Sequence, residues 1–316
     1  MDHLNVLDIY CGCGSFSQGL KNSGMNILAG IDPRKVEINN YRKNLGKGVN
    51  DFLRNVKPGE LMELFEINKN SVDLIFFRPL CKKKDSKTVD EWFFNSEFKY
   101  FLDFVEFFKP KVIIFENPNN ILNIKSSKDV TIKDLIILEL KNYDCFTFTL
   151  NASDYSVPQY RYHTFIFCFL KNLNVGELEE PIPTTKDLEK KLTLKTCLVS
   201  RKYVKESSFL TESAMSKVNS LVEVNKKYSP KILDMLNPCY TITSRYYKDG
   251  YDALIQYEDD KKIRRLEISE LRKIQTFPEE FIIKGSKKEI ISQIGNSIPC
   301  RMAYEIGLYI NNILKN

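Results

Sequence analysis

The first 170 residues alternate short apolar, strand-like runs with amphipathic helical stretches, and that alternation constrains the fold more than any other feature of the chain. Strand candidates are Asn5 to Tyr10, Asn26 to Ile31, Val72 to Phe77, Val112 to Glu116, Phe146 to Leu150 and Thr164 to Cys168. Between the third and fourth of these, Phe98, Phe101, Leu102, Val105 and Phe108 recur at helical spacing and form one apolar face. Lys109-Pro110 then stops that helix. Strands separated by helices require crossover connections, so the pattern predicts an α/β fold with a doubly wound, mostly parallel sheet. From about Lys171 to Asn237 the alternation ends, Pro181, Pro183 and Pro230 interrupt the chain, and Lys and Glu runs appear, which reads as a second, smaller domain. Helical periodicity returns from Arg264, through Leu266, Leu271, Ile274 and Phe277 to Ile306 and Ile310. The expected organisation is a first domain over 1–170, a small domain over 171–263, and helices over 264–316 that return to the first.

Composition narrows the class without naming it. With 47 Lys+Arg against 41 Asp+Glu the chain carries a formal charge of +6, compatible with a polyanionic partner. The start of the chain has no basic region followed by an apolar run, and no apolar stretch reaches the roughly 18 residues of a membrane span. An intracellular location, in cytoplasm or in nucleoid or nucleus, is therefore expected, with no membrane partner. Eight cysteines lack the spacing of a disulfide framework. Cys11-Gly12-Cys13 has no second cysteine pair, and with only two histidines in the chain no metal is expected.

In doubly wound sheets ligands bind beyond the carboxyl ends of the strands, and polar motifs sit at those ends here. After the first strand comes Asp8-Ile-Tyr10-Cys-Gly12-Cys-Gly14-Ser15-Phe16, where two glycines allow a tight turn into an amide-rich helix start. A third glycine and a Gly-Lys-Ser/Thr sequence are absent, which argues against a simple nucleotide phosphate loop. Asp32-Pro33 ends the second strand, where a carboxylate suits a ribose diol, as in hydride-cofactor and adenosyl-methionine sites. Asp51-Phe52 follows Val49, and Asp51 can accept from an adenine amino group. The strand at Asp73 to Phe77 runs into Arg78-Pro79-Leu80-Cys81 and then Lys82, Lys83 and Lys84. Adjacent cations stabilise a thiolate, so Cys81 is a candidate nucleophile.

Taken in order, these motifs resemble the cytosine-5 methyltransferase family over most of the chain. Asp8 to Phe16 is similar to its adenosyl-methionine loop, with Tyr10 where phenylalanine is usual. Pro79-Leu80-Cys81 resembles its Pro-Pro-Cys motif, Glu116-Asn117-Pro118 its Glu-Asn-Val motif, and Gln159-Tyr160-Arg161-Tyr162-His163 its Gln-x-Arg-x-Arg stretch. Thr241 to Gly250, including Arg245, resembles the segment that follows the target-recognition region. Gln275-Thr-Phe-Pro278 and Gly295-Asn296-Ser297-Ile-Pro299 are similar to the closing motifs.

The resemblance implies a Rossmann-like methyltransferase fold with a small target-recognition domain, and S-adenosyl-L-methionine as cofactor. Tyr10, Gly12, Gly14, Ser15, Phe16, Asp32, Pro33, Asp51, Phe52, Pro79, Asn296 and Ser297 would hold it. It implies a DNA (cytosine-5-)-methyltransferase of the restriction-modification kind. Carbon 5 of cytosine is a poor nucleophile until a thiolate, here Cys81, adds at carbon 6 of a flipped-out base. Glu116 would take up charge at ring nitrogen 3, and Arg161 would hold the base or polarise the same position. Lys82, Lys83, Lys84, His163 and Arg245 would meet the nucleic acid.

The chain also departs from the pattern. Phe77 and Arg78 stand where the family has glycines, Leu80 replaces the second proline, and His163 replaces the second arginine. Two readings of the altered loop stand: a working enzyme, or an impaired homologue acting as a nucleic-acid-binding or regulatory subunit of another methyltransferase. Otherwise a monomer is expected. Cys239-Tyr240-Thr241 is similar to a signature of the transfer-RNA-methylating branch, so tRNA stands as the alternative substrate to DNA.

Overall fold

The computed structural model describes residues 3–79, 97–117, 122, 125, 129–185, 187, 189, 191–216, 231–249, 253–259 and 261–315. These fall into two compact units: Met1–Leu150, Tyr162–Ile182 and Ala303–Asn316 form the first, Asn151–Arg161 and Pro183–Met302 the second.

The first unit is built on a seven-stranded sheet of order β3-β2-β1-β4-β5-β7-β6. Its strands are β1 (Asn5–Ile9), β2 (Asn26–Ile31), β3 (Gly48–Val49), β4 (Leu74–Phe77), β5 (Val112–Asn117), β6 (Tyr143–Asn151) and β7 (Tyr162–Leu170). Strands β3, β2, β1, β4 and β5 pair in parallel, and β7 lies antiparallel to β5, so the sheet is mostly parallel as expected. Parallel strands covered on both faces are apolar throughout, which is why β4 and β5 read as the unbroken runs Leu-Ile-Phe-Phe and Val-Ile-Ile-Phe.

The crossover helices are α1 (Ser15–Asn22), α2 (Lys35–Leu45), α3 (Pro58–Phe65), α4 (Glu97–Phe108) and α5 (Ile132–Glu139). Helix α4 buries Phe98, Phe101, Phe104, Val105 and Phe108, and its Phe101 ring stacks on Phe77 of β4 at 4.2 Å. It ends at Lys109, whose φ of 47° is left-handed and leads into Pro110. Helix α3 begins on a proline, whose missing N–H costs nothing in a first turn. β6 and β7 extend beyond the runs read from sequence, because their ends carry polar residues such as Tyr162 and Asn151.

Among the described residues, the second unit has little regular structure before residue 254, mostly short 3-10 turns. It then forms an antiparallel pair, β8 (Leu254–Gln256) and β9 (Ile263–Arg265), followed by α6 (Ile268–Ile274) and α7 (Lys287–Asn296). The fully buried Arg264 guanidinium meets Glu270 through two nitrogens at 2.7 and 2.9 Å, and Glu270 also accepts from the Val199 amide. Both α6 and α7 open on capping boxes, Glu267 with Glu270 and Ser286 with Glu289. The last helix, α8 (Cys300–Ile313), starts in the second unit and finishes in the first. There Gly307 lies so close to α1 that an added Cβ would come within 2.1 Å of the Ser23 hydroxyl, and Asn311 donates to the Ser23 carbonyl. Among the described residues no helix is long and apolar enough to cross a membrane.

Candidate active site

The loop between β1 and α1 is pinned to the end of β2. The amides of Tyr10 and Cys11 both donate to the Ile31 carbonyl, and the Gly12 amide donates to Asp32 Oδ2 at 2.9 Å. Tyr10, Gly12 and Gly14 have φ of 63°, 60° and 95°. At Gly14 a side chain has no room either, since a Cβ would lie 2.5 Å from Leu45 and 2.9 Å from Tyr41. The Tyr10 ring packs on Phe77, and burial, with Glu97 beside it, pushes its hydroxyl up. Phe16 turns inward and stacks on Phe76 at 3.8 Å, and Ser15 is buried at the helix start.

Asp32 is wholly buried, and its carboxylate is well supplied with donors. Besides Gly12, the Arg34 amide and Nε reach Oδ1 at 2.9 Å and Arg34 Nη2 reaches Oδ2 at 2.8 Å. Asn50 donates to the Asp32 carbonyl. Asp51 Oδ1 accepts from the Phe52 amide and Asn55, while the Phe52 ring is part-exposed under the Arg54 guanidinium at 4.2 Å. Arg54 in turn pairs with Glu97.

Asp8, near the carboxyl end of β1, accepts from the Ser17 hydroxyl through Oδ2, and its buried Oδ1 has no hydrogen-bond partner. Burial pushes this carboxyl up to about 7; nearby Asp32 adds to the rise, and Ser17 and Arg78 oppose it.

One strand beyond β4, Glu116 closes β5 fully buried. His163 Nδ1 lies 2.7 Å from its Oε1, and Arg78 Nε lies 2.6 Å from its Oε2. The Arg78 amide also donates to the Ile9 carbonyl, tying the end of β4 to the end of β1. Pro79 is half-buried beside it. Cys81, Lys82, Lys83 and Lys84 lie outside the described residues, as does Pro118.

Arg161, Arg245, Asn296 and Ser297 belong to the second unit. Arg161 is buried and donates to the Ile242 carbonyl at 3.1 Å, while Gln159 Oε1 accepts the Ile242 amide. The Tyr160 amide donates to the Cys239 carbonyl, the Cys239 amide donates to the Pro158 carbonyl and the Thr241 hydroxyl donates to the Tyr160 carbonyl, so the Gln-x-Arg stretch and the Thr241 segment form one clamped pair. Arg245 is exposed. Ser297 donates to the Gln293 carbonyl and Asn296 to Ser292. Gly295 earns its place by contact: a Cβ there would lie 2.4 Å from the backbone of Thr243 and Ser244.

Sequence reading missed Arg34, Arg54, Glu97 and the role of Arg78. Arg34 carried a local signal, a cation two residues after a strand-end acid. The other three are brought in by pairing between distant segments.

A sheet of this order, with a glycine loop, a strand-end aspartate and a strand-end glutamate along one edge, defines a Rossmann-like methyltransferase. The model of the C-5 cytosine-specific DNA methylase family matches residues 4–312, and the chain belongs to that family. It is 30% identical to the type II methyltransferase M.HindV of Haemophilus influenzae, over 99% of this chain and 98% of that one. It is 27% identical to the type II methyltransferase M.AplI of Arthrospira platensis, over 99% of this chain and 87% of the relative. Among solved structures, a DNA modification methyltransferase described as putative, encoded within an Escherichia coli prophage, matches with a TM-score of 0.76 at 18% identity, covering 99% of this chain and all of that one. Spodoptera frugiperda DNMT2 matches with a TM-score of 0.75 at 19% identity over the whole of both chains.

Proposed function

We propose that this protein transfers a methyl group from S-adenosyl-L-methionine to carbon 5 of cytosine in DNA, as the modification enzyme of a restriction-modification pair. The observation that carries the reading is topological. Within one unit, the glycine loop after β1, Asp32 after β2 and Glu116 near the end of β5 all sit at the carboxyl edge of the parallel strands β2-β1-β4-β5, where such sheets bind ligands.

The residues present fit the cofactor. Left-handed glycines and the amides opening α1 suit its charged amino-acid end, and the orphaned Asp8 oxygen lies on the same strand end. A ribose diol would reach the buried Asp32 carboxylate by displacing the Arg34 guanidinium that occupies it, and Asp51 with the part-exposed Phe52 ring offers an acceptor and an apolar face to adenine. When bound, the cofactor supplies an electrophilic methyl group on a sulfonium. Asn296 and Ser297 are proposed contacts from the second unit, and residues 171–263 are proposed to read the target. On the base, the Cys81 thiolate would add to carbon 6 of the extruded ring while protonated Glu116 gives its proton to nitrogen 3 and Arg161 steadies the base. Once carbon 5 carries the methyl group, a base takes the carbon-5 proton, the bond from Cys81 to carbon 6 breaks and nitrogen 3 returns its proton to Glu116. DNA is favoured over RNA by the type II relatives and by the Gln-Ile-Gly-Asn-Ser-Ile-Pro wording of residues 293–299.

Labelled-methyl transfer to unmethylated bacteriophage DNA and to transfer RNA, with wild type and C81A, tests this directly. Transfer to DNA that falls by about 10³-fold or more in C81A is expected for loss of a nucleophile. Cys81-dependent transfer to RNA alone overturns the DNA substrate, and cofactor binding with transfer to neither polymer supports the regulatory-subunit reading.

A further inference from the structure

We infer that Arg78 is a positioning residue of the target-base site, supplying to Glu116 the guanidinium that this chain lacks at position 163. The inference rests on the methyl-transfer reading above. In the sequence, the arginine in the place of a loop glycine and the histidine in the place of a motif arginine are two unrelated departures, far apart along the chain. In the fold they meet on one carboxylate.

Strand register brings them there. Phe77 of β4 pairs with Phe115 of β5, so the next residue, Arg78, stands beside Glu116. On the other side Glu116 pairs with Phe165 of β7. Side chains alternate along a strand, so His163, two residues from Phe165, shares the Glu116 face as its diagonal neighbour. The result is a fully buried carboxylate gripped from both flanking strands, Arg78 Nε at 2.6 Å from one oxygen and His163 Nδ1 at 2.7 Å from the other.

The charges explain why the two changes belong together. A buried carboxylate needs a cationic or hydrogen-bonding partner, and an imidazole is cationic over only part of the physiological range. A guanidinium is always charged, so the Arg78–Glu116 ion pair persists across that range. Replacing arginine by His163 on β7 alone would leave Glu116 with an intermittent counter-charge. Arg78 on β4 makes the counter-charge permanent, so the position of Glu116 toward the base survives the loss of the motif arginine. The altered loop start is, on this account, a relocation of one guanidinium from β7 to β4.

The test is labelled-methyl transfer to unmethylated bacteriophage DNA by wild type, R78G, R78K and R78G/H163R, each melted thermally to establish that it folds. R78G is expected to lose about 10²-fold in kcat, the order seen when an acid-base group is displaced, with KM for DNA changed less than about threefold. R78G/H163R, which returns the guanidinium from β7, is expected to recover at least about tenfold of that loss, and R78K to fall between wild type and R78G. A purely structural Arg78 would lower the melting temperature without this rescue. Undiminished transfer by folded R78G, or a folded double variant no better than R78G, overturns the inference and leaves the methyl-transfer reading standing. Should R78G not fold, R78K at the wild-type rate beside an inactive double variant overturns it equally. Absence of transfer by the wild type overturns both.

Discussion

Asp8 is a carboxyl group without water: buried, with one oxygen bonded to Ser17 and the other unpartnered. Burial raises its pKa from the usual value near 4 to about 7, so the folded protein binds the proton more tightly than the unfolded chain. The sign follows from linkage. Stability from this group is full below pH 4, falls as the pH rises through the interval up to about 7, and is flat above it. An asparagine in its place resembles the protonated form at every pH. D8N is therefore expected to melt close to wild type below pH 4 and above it at pH 8, where ionising Asp8 costs wild type of order 4 kcal/mol at most. A melting difference independent of pH would show that Asp8 does not titrate in this range.

At the scale of elements, contacts between backbones explain the glycines that the closing motif needs. The C-terminal end of α7 rests against Thr243 and Ser244, and a Cβ at Gly295 would strike their backbone atoms at 2.4 Å. Neither side can yield without shifting a segment, so G295A is expected to cost about 1–3 kcal/mol, read as a lower urea midpoint with unchanged slope. Elements like β1, β4 and β5 were legible because a buried parallel strand is one apolar run ended by a polar residue, and that is where Asp8, Arg78 and Glu116 sit. Helix α4 was legible because its five buried residues repeat at helical spacing. Less was visible in the site. Arg78 reads only as a residue standing in the place of a glycine because its partner lies across a β4–β5 pairing that no local pattern encodes. For the same reason His163 was assigned to nucleic acid or base, whereas the fold sets it on Glu116. Arg161 donates to the Ile242 carbonyl, a contact with a segment that the sequence places far downstream.

Across the whole molecule, the chain leaves the first unit and re-enters it twice, the second time through α8. In that unit Ala303, Ile306 and Ile310 are buried, and Tyr309 packs on Phe167 while donating to the Glu179 carbonyl. Burying one isoleucine side chain is worth roughly 1.5–3 kcal/mol, so removing this helix deletes a large part of an ordinary domain's stability. A chain ending at Met302 is expected to lose its cooperative melt in the first unit, followed by near-ultraviolet circular dichroism; a truncated chain that melts like the full one would show that α8 is dispensable. The placement of α8 also orders events during synthesis. Helix α1, which follows the glycine turn, is made long before α8, whose Gly307 and Asn311 cover its Ser23 end. From the time α1 emerges until Gly307 and Asn311 are joined to the chain, its flank at Leu20 and Ser23 waits uncovered, so α1 depends on being shielded from aggregation for almost the whole synthesis of the segment between them.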